Sequence, residues 1–260
     1  MNEQNHHRVI EAAMLAAEIL VENGAEISRV EETFERICRY YEVEDASIFV
    51  LSNGIFATGL NRTLLQSYAS VKHLPVKEVD LAKVVEVNQL SRELAEKKYS
   101  PKHLQERLEE IRQLPKHRLS TAALATGLGS ATFCHLFDGG WSEMLTAFVI
   151  GMILQLYLRV LCHRRSKILR ITTASAVVTA LALMAYRWGP VERLAQLIIS
   201  VVIPMVPGVA FVNGIRDFSQ GDYIAGSVRL LDALVVFASI ALGVALMIGV
   251  YRRLGGPVFV

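Results

Sequence analysis

Cysteine is nearly missing from this chain. Cys38, Cys134 and Cys162 are its three, too few and too scattered for a disulfide framework and without the paired spacing of a zinc site. They read as free buried thiols that fill apolar space. The seven histidines include the adjacent His6 and His7 but no H-x-x-x-H pair, so no metal centre is expected. The first 115 residues hold no glycine-rich phosphate loop and no nucleophile elbow, which removes the common signatures of nucleotide-binding and hydrolytic enzymes. The N-terminus, MNEQNHHRVIEAAM, lacks the basic-then-apolar layout of a secretory signal peptide.

Acidic residues are abundant at first and then almost vanish. Residues 1–118 carry 19 acidic and 16 basic side chains, whereas residues 119–260 carry 6 acidic and 11 basic. The chain is 52% hydrophobic with a mean hydropathy of +0.35, and the apolar residues concentrate in the second part. The halves therefore read differently: a water-soluble domain over 1–115 and a membrane-embedded domain over 116–260. The surplus of positive charge belongs to the loops of the membrane part, so it carries no signal for nucleic acid.

In the first domain Val9, Ile10, Ala13, Met14, Ala17, Leu20 and Val21 recur at helical spacing, and Gly24 stands where that helix ends. Ser28-Arg29-Val30-Glu31 fits a capping box for a second helix, with Val30, Phe34, Ile37 and Tyr41 as its apolar stripe. From Asp45 the composition turns β-branched and aromatic around Asn53-Gly54, a hairpin signal. Two helices follow, over 80–97 and 101–113, the latter with Ser100 as N-cap and Pro101 at its first position. The sum is a small α+β module. Glu26, Arg29, Glu31 and Glu32 crowd one helix start. That cluster reads either as capping and helix-dipole compensation or as a gating or docking contact.

The second domain offers five apolar stretches of about 20 residues, near 119–137, 143–161, 168–186, 194–211 and 230–250. They are joined by short links, so the expected fold is a five-span helical bundle bearing an N-terminal cytoplasmic α+β domain. Basic flanks orient it. Nine residues, among them Lys116, Arg118, Arg164, Arg165 and Lys167, face one side, against Arg187, Arg193, Arg252 and Arg253 on the other. The N-terminus is therefore expected inside and the C-terminus outside.

The segment from Ser200 to Asp232 breaks the pattern. Pro204 and Pro207 remove two backbone donors and Gly208 permits an unwound turn, so a helix here must be interrupted. Interrupted helices whose broken ends face a solute are a recurring transporter device. Asn213 could offer an amide to a polar solute, and Arg216 or Arg229 could pair with a carboxylate. Asp217, Asp222 and Asp232 read either as interfacial charges paired with Arg216 and Arg229 or as solute or proton contacts.

These segments resemble the threonine/serine exporter family. The resemblance is carried by NGAEISRVEETFERI at 23–37, the stretch ending SNGIFATG, FDGGW at 137–141 and VPGVAFVNGIRDFSQGDYIAGSVRLLDA at 206–233, and it covers essentially the whole chain. Long family members append a second, shorter membrane domain that this chain lacks. It therefore resembles the split, two-component form, which works with a separate small membrane subunit. The resemblance implies export of a threonine/serine-type amino acid, or of a dicarboxylate such as succinate, across a bacterial inner membrane. A proton or other ion gradient, and no cofactor, would drive it. The expected partners are the small subunit or a second copy of the chain, the lipid bilayer and a small polar solute. On this view Pro204, Pro207, Gly208, Asn213, Arg216, Asp217, Arg229 and Asp232 lie on the solute pathway, and Glu26, Arg29 and Glu31 gate or dock. The competing expectations are a membrane-anchored hydrolase and a sensory or assembly protein with a cytoplasmic ligand-binding domain.

Overall fold

A computed structural model describes residues 3–43, 46–61, 66–74, 79–97, 99–115, 117–161 and 166–255. Cys162 and three of the basic flanking residues, Lys116, Arg164 and Arg165, lie outside the described residues. Two compact units result. The first joins residues 1–115 to residues 209–231, and the second joins 116–208 to 232–260.

The first unit is built around helix α1 (Glu3–Glu22). The apolar positions read from the sequence are buried, but so are Ala12, Leu15, Ala16 and Ile19, so over residues 12–22 the helix is enclosed on all sides rather than along one stripe. Even Glu18 is buried on it, held by ion pairs to Lys72 and Arg112. Gly24 ends α1 at φ 83°. There the N–H of Ala25 donates to Leu20 O and the N–H of Gly24 to Val21 O, a Schellman closure that only glycine enters without strain. A Cβ at Gly24 would also stand 2.8 Å from Val79 Cγ2.

Helix α2 (Ile27–Tyr40) buries Val30, Phe34 and Ile37, as its stripe predicts, but its N-cap is Glu26 and no side chain of its own segment caps it. Ser28 is the second residue of the helix, two positions past the N-cap, which corrects the capping-box reading. Strands β1 (Ala46–Leu51), β2 (Gly54–Asn61) and β3 (Gln66–His73) form an antiparallel sheet in the order β1-β2-β3. Leu51 pairs with Gly54, so the turn residues are Ser52 and Asn53 rather than Asn53 and Gly54. The third strand accounts for the shift: Gly54 pairs with His73, and Leu74 N–H donates to Asn53 O, which draws Gly54 into the ladder. Helices α3 (Leu81–Lys97) and α4 (Pro101–Arg112) close the core, the latter capped by Ser100 as expected.

The second unit contains α5 (Leu119–Leu136), α6 (Trp141–Leu156, continued by a π turn to Leu161), α7 (Lys167–Trp188) and α8 (Leu194–Val202). Between α5 and α6, Asp138 takes φ 60° and Gly139 N–H donates to Cys134 O. The two helices pack through reciprocal glycines. A Cβ at Gly127 would meet Phe148 O at 2.8 Å, and one at Gly151 would meet Thr126 O at 2.9 Å.

Helix α8 runs into a 3₁₀ turn (Ile203–Met205), the helix breaks at Val206-Pro207, and α9 (Gly208–Ser219) restarts it before α10 (Tyr223–Arg253). Gly208 starts α9 without a left-handed φ, so the prolines make the break, not glycine's conformational freedom. Among the described residues three helices, over 141–160, 167–188 and 223–253, are long and apolar enough to cross a membrane, and the broken pair α8–α9 makes four if taken as one span. Five spans are not all matched: α5, with Ser120, Thr121, Thr126, Ser130, Thr132 and His135, is not among them.

Candidate functional site: a polar clamp on the α1–α2 loop

Two clusters that the sequence keeps 190 residues apart meet in the first unit. The loop Gly24–Ile27 presents its own carbonyls and the opening N–H groups of α2, which need partners. Helix α9 and the first turns of α10 supply them. Asn213 Nδ2 donates to Gly24 O at 2.8 Å. Arg229 Nη2 donates to Ala25 O at 2.7 Å. Arg216 pairs with Glu26, and Arg29 approaches the same carboxylate at 3.7 Å. Asp217 Oδ1 accepts the N–H of Ile27 at 3.2 Å, so the cap missing from the α2 segment comes from a distant helix. Its Oδ2 lies 3.2 Å from Arg229 Nη1.

Helix α9 is brought close enough to do this by a glycine contact with α10. A Cβ at Gly226 would meet Phe218 N at 2.7 Å and Gly214 O at 2.9 Å. Bulk at either glycine would push apart the helix that carries Asp217 and the helix that carries Arg229.

The electrostatics follow from burial. Asp217 is fully buried, and the side chain of Arg229 is only 11% exposed. A buried carboxylate and guanidinium hold each other in place, because either alone would be an uncompensated charge. The hydrogen bond from Arg216, backed by the charges of Arg29 and Arg229, holds the Glu26 carboxyl below its ordinary range. Glu31 behaves in the opposite sense: burial, with Asp222 and Glu35 nearby, pushes its carboxyl up. Burial pushes the Cys38 thiol up to about 12, so it stays protonated and inert.

Of the residues singled out in the sequence, Asn213, Arg216, Asp217, Arg229, Glu26 and Arg29 come together here. Glu31 lies on the first turns of α2, near Asp222 and Glu35, and makes no hydrogen bond to the clamp among the described residues. The pairing matches the sequence expectation in part: Asp217 pairs with Arg229, but Arg216 engages Glu26 rather than an aspartate of its own segment. Asp232 belongs to the second unit, where Lys167 Nζ reaches both of its oxygens at 2.6 Å on an exposed surface. Pro204 lies in the 3₁₀ turn and Pro207 at the break that precedes α9, which Gly208 begins.

Sequence reasoning missed Glu143. It is 2% exposed, and its Oε1 accepts the N–H groups of Glu192 at 2.7 Å and Arg193 at 3.1 Å. It thereby ties down the two residues that lead into α8, the first helix of the broken pair. A lone glutamate opening an apolar stretch was the available signal.

Comparison with known proteins bears on what the clamp serves. The family model of the threonine/serine exporters, ThrE, matches residues 11–251. A protein of Klebsiella aerogenes named as the probable succinate transporter subunit YjjP is 26% identical over 234 residues, 87% of this chain and 88% of that protein. Its namesake in Escherichia coli K12 is 23% identical, covering 91% of this chain and 92% of that protein. A probable threonine/serine exporter of Mycobacterium tuberculosis is 19% identical over 91% of this chain, which spans only 45% of the longer protein. No solved structure matches.

Proposed function

The chain belongs to the ThrE family of threonine/serine exporters, and from that premise we propose that it is the larger membrane subunit of a two-component secondary exporter. Its cargo is a small polar metabolite, a threonine/serine-type amino acid or a dicarboxylate such as succinate. It works with a separate small membrane subunit in a bacterial inner membrane, with the α+β module in the cytoplasm, and an ion gradient drives it. The near-full-length match to proteins named as transporter subunits supports the split form.

One observation carries the mechanistic part: the helix that restarts after the proline break, α9, is the helix whose Asn213, Arg216 and Asp217 grip the α1–α2 loop. A segment broken at Pro207 lacks the backbone bonds that would make it rigid, so it is a place where a span can open. The clamp then acts as the latch of the closed state. Asn213, Arg216, Asp217 and Arg229 leave the loop when the pathway opens, and their polar groups become available to the solute. Asp232 contributes a charged rim beside Lys167.

The test is flux. Proteoliposomes containing this chain and a small ThrE-family subunit, loaded with succinate, threonine or serine, are expected to release at least one of them in response to a pH gradient. Retention of all three would overturn the reading. Flux with this chain alone would show that a second copy replaces the small subunit.

A further inference from the structure

The contacts that Asp217 makes are those a free carboxylate would make. One oxygen accepts the first N–H of α2 and the other faces the guanidinium of Arg229. That guanidinium is itself fixed in direction, because its second nitrogen donates to Ala25 O. Oδ2 is fully buried and, among the described residues, forms the ion pair without a hydrogen bond, so the resident carboxylate is one bond short of what the site can give. Tethered to α9 and held through Oδ1 by the Ile27 N–H, it does not reach that bond. A free carboxylate can.

We propose that the α2 N-terminus and Arg229 form a carboxylate-binding site plugged by the protein's own Asp217, and that the carboxylate of the transported solute opens the latch by displacing it. The exporter reading supplies only the identity of the competitor; the site itself stands on the geometry. Exchange of one carboxylate for another leaves Arg229 paired and the Ile27 N–H satisfied, so it avoids the uncompensated buried cation that a neutral molecule would create. The displacement also loosens α9, because Asp217 is one of its three holds on the loop, with Asn213 and Arg216. The site thus selects for charge: an acid opens the latch where the corresponding amide does not. Asp217 then taxes the apparent affinity of every acid, since only the unplugged fraction binds.

The experiment compares the full-length wild-type chain with Asp217→Gly, both in detergent, by isothermal titration with succinate and threonine and by melting in acetate or acetamide. Removal of the plug is expected to tighten succinate binding by at least about tenfold, and adding Arg229→Gln to abolish it. Acetate is expected to raise the melting temperature of Asp217→Gly saturably, with acetamide and chloride of matched ionic strength ineffective. Equal affinities in wild type and Asp217→Gly, or equal rescue by acetate and acetamide, would overturn the proposal. If Asp217→Gly does not fold, Asp217→Asn carries the same comparison: tighter succinate binding than wild type supports the plug, and unchanged binding overturns it. Acid binding without flux of any solute would sink the export reading while keeping the site. Flux with unchanged affinity would do the reverse.

Discussion

Asp217 caps a helix that begins 190 residues before it: its Oδ1 accepts the N–H of Ile27 while its Oδ2 faces Arg229. The cap therefore reports tertiary structure, and its loss is felt twice, once at the α2 N-terminus and once at a buried guanidinium. Asp217→Ala is expected to destabilise the chain by about 3–5 kcal/mol, the usual cost of breaking a buried pair from one side. Removing both partners, as in Asp217→Ala with Arg229→Met, is expected to recover part of that loss, with a coupling of about 1–3 kcal/mol. Denaturant melts of the four species of the cycle measure it, and additive losses would mean that the two groups do not act as a pair.

Acid should loosen the latch through Glu26. Its carboxyl is held below the ordinary range chiefly by the hydrogen bond from Arg216. A depressed folded-state value means that the stabilisation is fully present above the unfolded value, about 4.3, and is lost as pH falls through the folded value. Arg216→Gln should therefore lower the melting temperature at pH 7, and the gap to wild type should close as pH falls below about 4. A gap that stays constant with pH would show that Glu26 and Arg216 are not linked.

Glu143 should matter to the second unit as Asp217 does to the first. Glu143→Ala leaves the N–H groups of Glu192 and Arg193 without their acceptor and is expected to cost about 1–3 kcal/mol. Glu143→Gln keeps an acceptor oxygen and should lose less. Thermal melts in detergent distinguish the two, and equal losses would mean that charge, not acceptance, is what the α8 start requires.

Asp232→Asn should leave stability within about 1 kcal/mol of wild type, because its pair with Lys167 is partly exposed and water screens it. That makes it a clean probe in the flux assay: lost flux in a normally stable variant assigns Asp232 to the pathway, and normal flux removes it.

How far the sequence could be read depended on the range of each signal. Gly24 and Ser100-Pro101 announced helix ends because their effect lies within a few residues of backbone, and the structure uses both as read. The hairpin register failed by one residue because it was decided by a third strand that pairs with the second. Ser28 looked like a cap by spacing, yet the chain turned helical two residues earlier, where a remote aspartate could satisfy the first N–H. The burial of α1 on all sides was equally invisible, since a helix of alanine, leucine and isoleucine shows a stripe only when something leaves one face open.

By itself the sequence determined that the chain has a polar α+β part and an apolar helical part, that the span near residue 204 must break, and which polar residues stand out. Composition and proline placement fix those locally, through hydration and through missing backbone donors. Only the tertiary structure decided that Glu26 and Arg29 meet Asn213, Arg216, Asp217 and Arg229 in one clamp, and that Glu143 holds the start of α8. Orphaned backbone groups at a helix end take whichever partner the packing delivers, and no spacing rule reaches across 190 residues to name it.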